Sequence, residues 1–370
     1  MTFSPPAPGR ASRGELLRLR RLAQAIDGPR EPDPAAAARR LLALQGQDFA
    51  AGCWALALRT TGATQADVLA ELDAGRIIRS WPMRGTLHFV PPEDLRWMLS
   101  VTADRMVAGL GRRQQQLGLE AADFAHAADV VTAALTGGNS IGRAELMQLW
   151  EDAGIATTGQ RGYHLIYYLA QTGLLCWGPV VRVGNGNPTQ ALVLLDEWAP
   201  APPPLSADEA LAQFLLRYLH GHGPATVRDF VWWTKGTVAG AKTARAVLGD
   251  ALTTLEVDGV EYLVTAELLE RAAATPASRA EKEAVHLLPG FDEYLLGYQD
   301  RSPILDDEHA ELIVPGGNGI FQPIIVAGGR IVGTWRRDGG RVLPQPFAPL
   351  TPAREARLER SARAYAAYAG

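Results

Sequence analysis

The chain has 370 residues, 47% of them hydrophobic and 21% charged, the profile of a globular protein of two or three domains. No apolar run approaches the roughly 20 residues that cross a bilayer, which excludes a helical membrane protein and sets the expectation of a cytoplasmic one with no membrane partner. The formal net charge of −4 argues mildly against nucleic acid, yet Lys235, Lys242 and Lys282 are the only lysines, so arginine, the better fork for phosphate, carries nearly all the positive charge.

The opening stretch MTFSPPAPGRASRG has no apolar signal core and reads as a short flexible leader. GELLRLRRLAQAI is an amphipathic helix. Asp33 and Pro34 open a second helix as N-cap and first-turn residue. It runs through AAAARRLLALQ and is expected to stop near Gly46, the residue type favoured just past a helix end. Thr64 caps a third helix, QADVLAELDAG, closed by Gly75. RIIRSWPMRGTLHFV then reads as two short strands around a Pro82–Gly85 turn. Cys53 and Cys176 lack CxxC or CxxH spacing and read as reduced, buried thiols.

Helix, helix, hairpin is the order of a winged helix, and it recurs. Over 125–197, Ser140 is expected to cap IGRAELMQLWEDAG and Thr158 or a neighbour to open GQRGYHLIYYLAQTG. The strands LLCWGPVVRVG and TQALVLLDEW follow, joined by a turn at NGNP. After the proline-rich linker APAPPPLS, Thr226 caps VRDFVWWTKG, then TVAGAKTARAVLGDAL follows, and TTLEVDGVEYLV closes as a hairpin on Asp258-Gly259. Short strands with glycine turns dominate the next segment and suggest a small barrel or sheet, and a last helix, TPAREARLERSARAYAAYAG, has one Ala/Leu side that predicts packing on the body. The expected fold is α+β: winged helices over 14–120, 121–200 and 205–275, a β-barrel-like module over 283–348, and a terminal helix over 350–370.

The segments LLALQGQD, IIRSWPMRGTLHFVPPEDL, HGPATVRDFVWW, LLPGFDEYLLGYQDR and GIFQPIIVAGGRIVGTWRR resemble the AlkZ-like DNA glycosylases, over about residues 14 to 345. The resemblance implies tandem winged helices held around a DNA channel by a β-barrel. It also implies excision of alkylated bases from duplex DNA, in some members from interstrand crosslinks, with a Q-x-Q catalytic signature. Gln45 and Gln47 match that signature; another branch has aspartate at the second position. The middle residue is usually larger and apolar, so Gly46 departs from the pattern and is expected to loosen the loop.

On a continuous helix, residues two apart point about 200° away from each other, so Gln45 and Gln47 converge only if the helix breaks at Gly46. An amide does not titrate usefully, but it accepts through oxygen and donates through nitrogen. That suits a cationic N3- or N7-alkylpurine, whose glycosidic bond is already weak and whose departure needs a placed water and stabilised charge more than a general acid. Asp48 adjoins the pair and either adds negative charge or merely starts the next turn. Arg84, Thr86 and His88 alternate along one strand and share a face, either supporting the site or fixing the hairpin by hydrogen bonds. Arg84, Arg112 and Arg113 are candidate DNA contacts, the last two followed by Gln114 to Gln116 in a polar run that also fits a solvated helix face. Tyr163, His164, Tyr167 and Tyr168 stand where a recognition helix is expected, mostly as core. His220 and His222 lack a third metal ligand and read as a helix end; PGGNG and VGNGNP lack the lysine of a phosphate loop and read as turns. No metal, organic cofactor or obligatory protein partner is expected. The rival reading is a non-enzymatic DNA-binding protein or regulator.

Overall fold

A computed structural model of the chain describes residues 9–182, 187–199, 201–339 and 341–369. The first eight residues of the leader, the start of the NGNP turn and Pro200 of the linker lie outside the described residues. The fold is α+β, and no helix among the described residues is long and apolar enough to cross a membrane.

The strands are β1 (Gly9–Arg10), β2 (Leu44–Gln45), β3 (Ile78–Met83), β4 (Thr86–Val90), β5 (Leu175–Val181), β6 (Thr189–Leu194), β7 (Leu252–Val257), β8 (Val260–Thr265), β9 (Val285–Leu288), β10 (Ile324–Ala327), β11 (Arg330–Asp338) and β12 (Arg341–Pro346). The first helices are α1 (Arg13–Ala23), α2 (Pro34–Leu41), α3 (Phe49–Leu58), α4 (Gln65–Asp73), α5 (Pro92–Ala108), α6 (Gly111–Leu117), α7 (Ala121–Leu135), α8 (Arg143–Asp152) and α9 (Arg161–Gln171). The chain divides into two compact units, one of residues 1–44, 50–68 and 211–370, the other of 45–49 and 69–210.

In the first unit the caps form where the side chains call for them. Asp33 accepts from the Ala36 N–H at 2.7 Å, and Thr226 and Asp229 make a reciprocal capping box at the start of helix Val227–Thr234. β7 and β8 pair around Asp258 and Gly259, both at positive φ, and β1 adds to β7 in parallel. Of the small barrel or sheet expected at the C-terminal end, the strands form a sheet and not a closed barrel. They make an open antiparallel sheet in the order β12-β11-β10-β9, in which β9 and β12 do not pair among the described residues, so the ring that a barrel needs is not closed there. Helix Pro352–Ala369 lies against β9 and β12 instead, burying Leu358, Tyr365 and Tyr368.

The LLPGFDEYLLGYQDR segment supplies a buried polar network in this unit. Arg59 forks onto Asp292 at 2.8 and 2.9 Å with both side chains almost fully buried. Glu293 accepts from the Trp233 indole at 2.8 Å and faces His222 Nε2 at 3.2 Å. Arg20 lies 3.7 Å above the Tyr298 ring. His222 is thus an internal hydrogen-bonding residue.

In the second unit, two hairpins that the sequence presents separately share one five-stranded sheet, β2-β4-β3-β5-β6, joined where Arg79 pairs with Trp177. Helices α7, α8 and α9 pack with that sheet around Trp81, Phe124, Trp150, Leu165 and Trp177. Helix α8 is capped at Gly142, with Glu145 folding back onto its N–H at 2.9 Å, two residues later than the expected Ser140.

Candidate active site

Helix α2 ends at Leu41, five residues short of Gly46, and Leu42 leaves it with φ of 63°. Leu41, Leu42, Ala43 and Leu44 are all at most 1% exposed, and a run buried on every side carries no period that separates helix from strand. The chain turns extended here because β4 captures it: the Gly46 N–H donates to Leu87 O at 2.8 Å. The convergence problem posed for a helix therefore dissolves, since alternate residues of an extended chain share a side.

Gly46 faces the Phe89 ring. A Cβ built at Gly46 would lie 3.2 Å from two of its ring carbons, so the phenyl group fills the space of a larger residue. The loop is held rather than loosened: the Gly46 carbonyl accepts from Arg79 Nε at 2.8 Å. Arg79 pairs directly with Phe89 on one side and Trp177 on the other, a cross-strand row on one face of the sheet. Its guanidinium also lies 5.5 Å from the Phe49 ring, which meets Phe89 edge-on at 5.7 Å.

The two glutamines are both anchored through oxygen. Gln45, 8% exposed, accepts from Arg84 Nη2 at 3.3 Å. Exposed Gln47 accepts from the Leu87 N–H at 3.2 Å, so its amide oxygen continues the pairing of β2 with β4. Because a guanidinium and a backbone N–H can only donate, both amide orientations follow from chemistry. Arg84 Nη2 also lies 2.9 Å from Nε2 of fully buried His88, whose Nδ1 is 2.8 Å from Thr86 O. The Thr86 hydroxyl is buried without a hydrogen-bond partner.

Comparison with known proteins decides the family. The model of the family described as AlkZ-like, DNA glycosylase AlkZ-like, matches residues 38–368. The chain belongs to the AlkZ-like DNA glycosylases. It is 26% identical over 362 residues to an interstrand DNA cross-link repair glycosylase of Streptomyces sahachiroi, covering 91% of each chain. It is also similar to the solved structure of Streptomyces sahachiroi DNA glycosylase AlkZ, with a TM-score of 0.81 and 25% identity over 98% of this chain and 97% of that one.

Within this glycosylase the other candidates fall in different places. Arg84 is not on a strand: with Gly85 it forms the turn between Met83 and Thr86, while Thr86 and His88 stand on β4 as expected. Asp48 is exposed and directly precedes α3. Arg112 and Arg113 are exposed on α6, which buries no residue, and Arg113 donates to Gln116 and to Gln160 before α9. On α9, Tyr163 is 42% exposed while His164 and Tyr167 are buried. Burial, then the Arg113 charge, lowers the His164 pKa, and burial, then Tyr163, pushes Tyr167 up to about 12. Sequence reading missed Arg79. Its signal was available only as a charged residue in an apolar strand, IIRSWPM, where a buried cation implies a fixed acceptor.

Proposed function

We propose that the protein is a monofunctional DNA glycosylase that hydrolyses the bond between deoxyribose and a cationic N3- or N7-alkylpurine, including purines in interstrand crosslinks. The observation that carries this reading is the pair of amides at the end of β2, each anchored through its oxygen to the first hairpin. An amide oxygen carries two lone pairs and its nitrogen two hydrogens, so a glutamine side chain offers both an acceptor for a water and a donor for a departing base. Neither group titrates, so the pair suits a leaving group that already carries its positive charge, and not an undamaged purine that needs a general acid. What the site supplies is placement and charge stabilisation in a fixed frame.

Water is the nucleophile in this reading. None of the three lysines falls within residues 45–49 or 69–210, the unit that holds the glutamines, which disfavours a Schiff base and lyase chemistry. The helix–helix–hairpin units over 14–120, 121–200 and 205–275 act as winged helices on duplex DNA, with the β module and the terminal helix completing the enzyme. The name of the Streptomyces relative supports crosslinks as substrates. Both cysteines are buried thiols outside any disulfide, and burial raises the Cys176 thiol to about 12, as suits a reducing cytoplasm. The test is incubation with duplex carrying 7-methylguanine, or an N7 crosslink, and analysis of free base. Release of the alkylated purine with undamaged guanine untouched is expected; DNA binding without release identifies a non-enzymatic binder.

A further inference from the structure

We propose that Arg84 is a positioning residue for base excision, acting through the Gln45 amide and not as a phosphate contact. The inference rests on the glycosylase reading above. Its first support is the backbone. Met83 and Thr86 pair across a two-residue turn in which Arg84 has φ of 58° and Gly85 φ of 71°. Positive φ at both central positions marks a type I′ turn, for which Asn-Gly, Asp-Gly or Gly-Gly is the favoured choice. Turn chemistry alone would not select arginine, and a strained residue persists where its side chain is needed.

The second support is what that side chain holds. Nη2 carries two hydrogens and lies against two acceptors, Gln45 Oε1 at 3.3 Å and His88 Nε2 at 2.9 Å. The Thr86 carbonyl, 2.8 Å from Nδ1, places the ring proton there, so Nε2 is the bare nitrogen. His88 is fully buried and cannot swing away, and thus fixes the guanidinium against Gln45. With donors facing each other in the flipped amide, Gln45 has one allowed orientation. A donor on its oxygen also strengthens its N–H groups as donors. The turn itself is backed by α9: a Cβ at Gly85 would lie 3.5 Å from the Tyr167 hydroxyl.

Two variants separate the roles. Arg84→Asn builds the Asn-Gly turn that the backbone prefers, and Arg84→Lys keeps the charge but loses the planar fork. For both we expect wild-type affinity for duplex DNA and an unchanged slope of affinity against salt. Single-turnover release of 7-methylguanine at saturating DNA should fall on the order of 10²-fold, as when one preorganised donor is lost. Arg84→Asn should melt at or above the wild-type temperature, and 15N shifts should show His88 leaving its single tautomer. Wild-type release rates in both variants, or a salt slope shallower by about 0.9 with the saturating rate intact, overturn the proposal in favour of a phosphate contact. Rate loss that only tracks a lower melting temperature in both variants overturns it in favour of a structural turn. If the wild type releases no base from the same DNA, the glycosylase reading itself is wrong and the proposal falls with it.

Discussion

Replacing Arg79 with methionine tests how the glutamine loop is held. Arg79 is 8% exposed, donates to the Gly46 carbonyl at 2.8 Å, and lies 5.5 Å from the Phe49 ring and 5.9 Å from the Trp177 ring. A buried hydrogen bond from a charged donor contributes about 1.5–3 kcal/mol, and breaking it leaves the Gly46 oxygen unsatisfied. The ring contacts, near the outer limit of the cation–π range, add about 1 kcal/mol. Methionine returns part of this by packing apolar atoms where a charge was buried. The expected net loss is about 3 kcal/mol, read from urea midpoints. A freed Gly46 carbonyl also lets the end of β2 drift, and a displacement of about 1 Å at a reacting centre costs on the order of 10²-fold in rate. Arg79→Lys should lose less of both. If Arg79→Met keeps the wild-type midpoint within about 0.5 kcal/mol and excises at the wild-type rate, the guanidinium does not hold this loop.

Gln47→Asp retains an acceptor for the Leu87 N–H, and because the related branch carries aspartate here it should keep release within about tenfold of wild type while shifting substrate preference. Gly46→Ala meets the Phe89 ring and should cost about 1–2 kcal/mol in urea, partly relieved in a double variant with Phe89→Leu. Arg112→Ala should leave the saturating release rate unchanged and make the salt dependence of DNA affinity shallower by about 0.9, measured by fluorescence anisotropy. Burial alone would raise the Asp27 pKa, but the His286 hydrogen bond and charge, followed by Arg21, outweigh it and hold the carboxyl at about 2 rather than 3.8. A carboxyl lowered by folding stabilises the native state above its unfolded pKa, and that contribution of about 2 kcal/mol is lost as pH falls from about 4 to about 2. Asp27→Asn should therefore be less stable at neutral pH and lose less across that acid window in denaturant titrations.

What the sequence showed and hid has physical reasons. Asp33, Thr64 and Thr226 were legible as caps because one short polar side chain meets one unpaired N–H, a purely local event. The Asp258-Gly259 turn was legible because few residue pairs accept positive φ twice. Helix α3 was not legible: FAAGCWALAL is apolar on nearly every side and has no stripe to read. The end of α2 and the extended course of Gln45 depend on pairing with β4, a contact distant in sequence. The sharing of one sheet by two hairpins rests on the single pairing of Arg79 with Trp177. Gln45 and Gln47 could be singled out by motif, but not their anchors, because Arg84 reaches Gln45 from a turn that strand alternation could not describe.

The central claim is that the two amides act on the substrate and do not merely finish a structural element. The most direct measurement is single-turnover release of 7-methylguanine by Gln45→Ala and Gln47→Ala, with thermal melting and DNA affinity of each variant alongside. We predict melting and affinity close to wild type, with release slowed on the order of 10²-fold or more in each, about 3 kcal/mol of transition-state stabilisation. Wild-type release by both variants, or a loss of rate fully accounted for by lower melting temperatures, would contradict it.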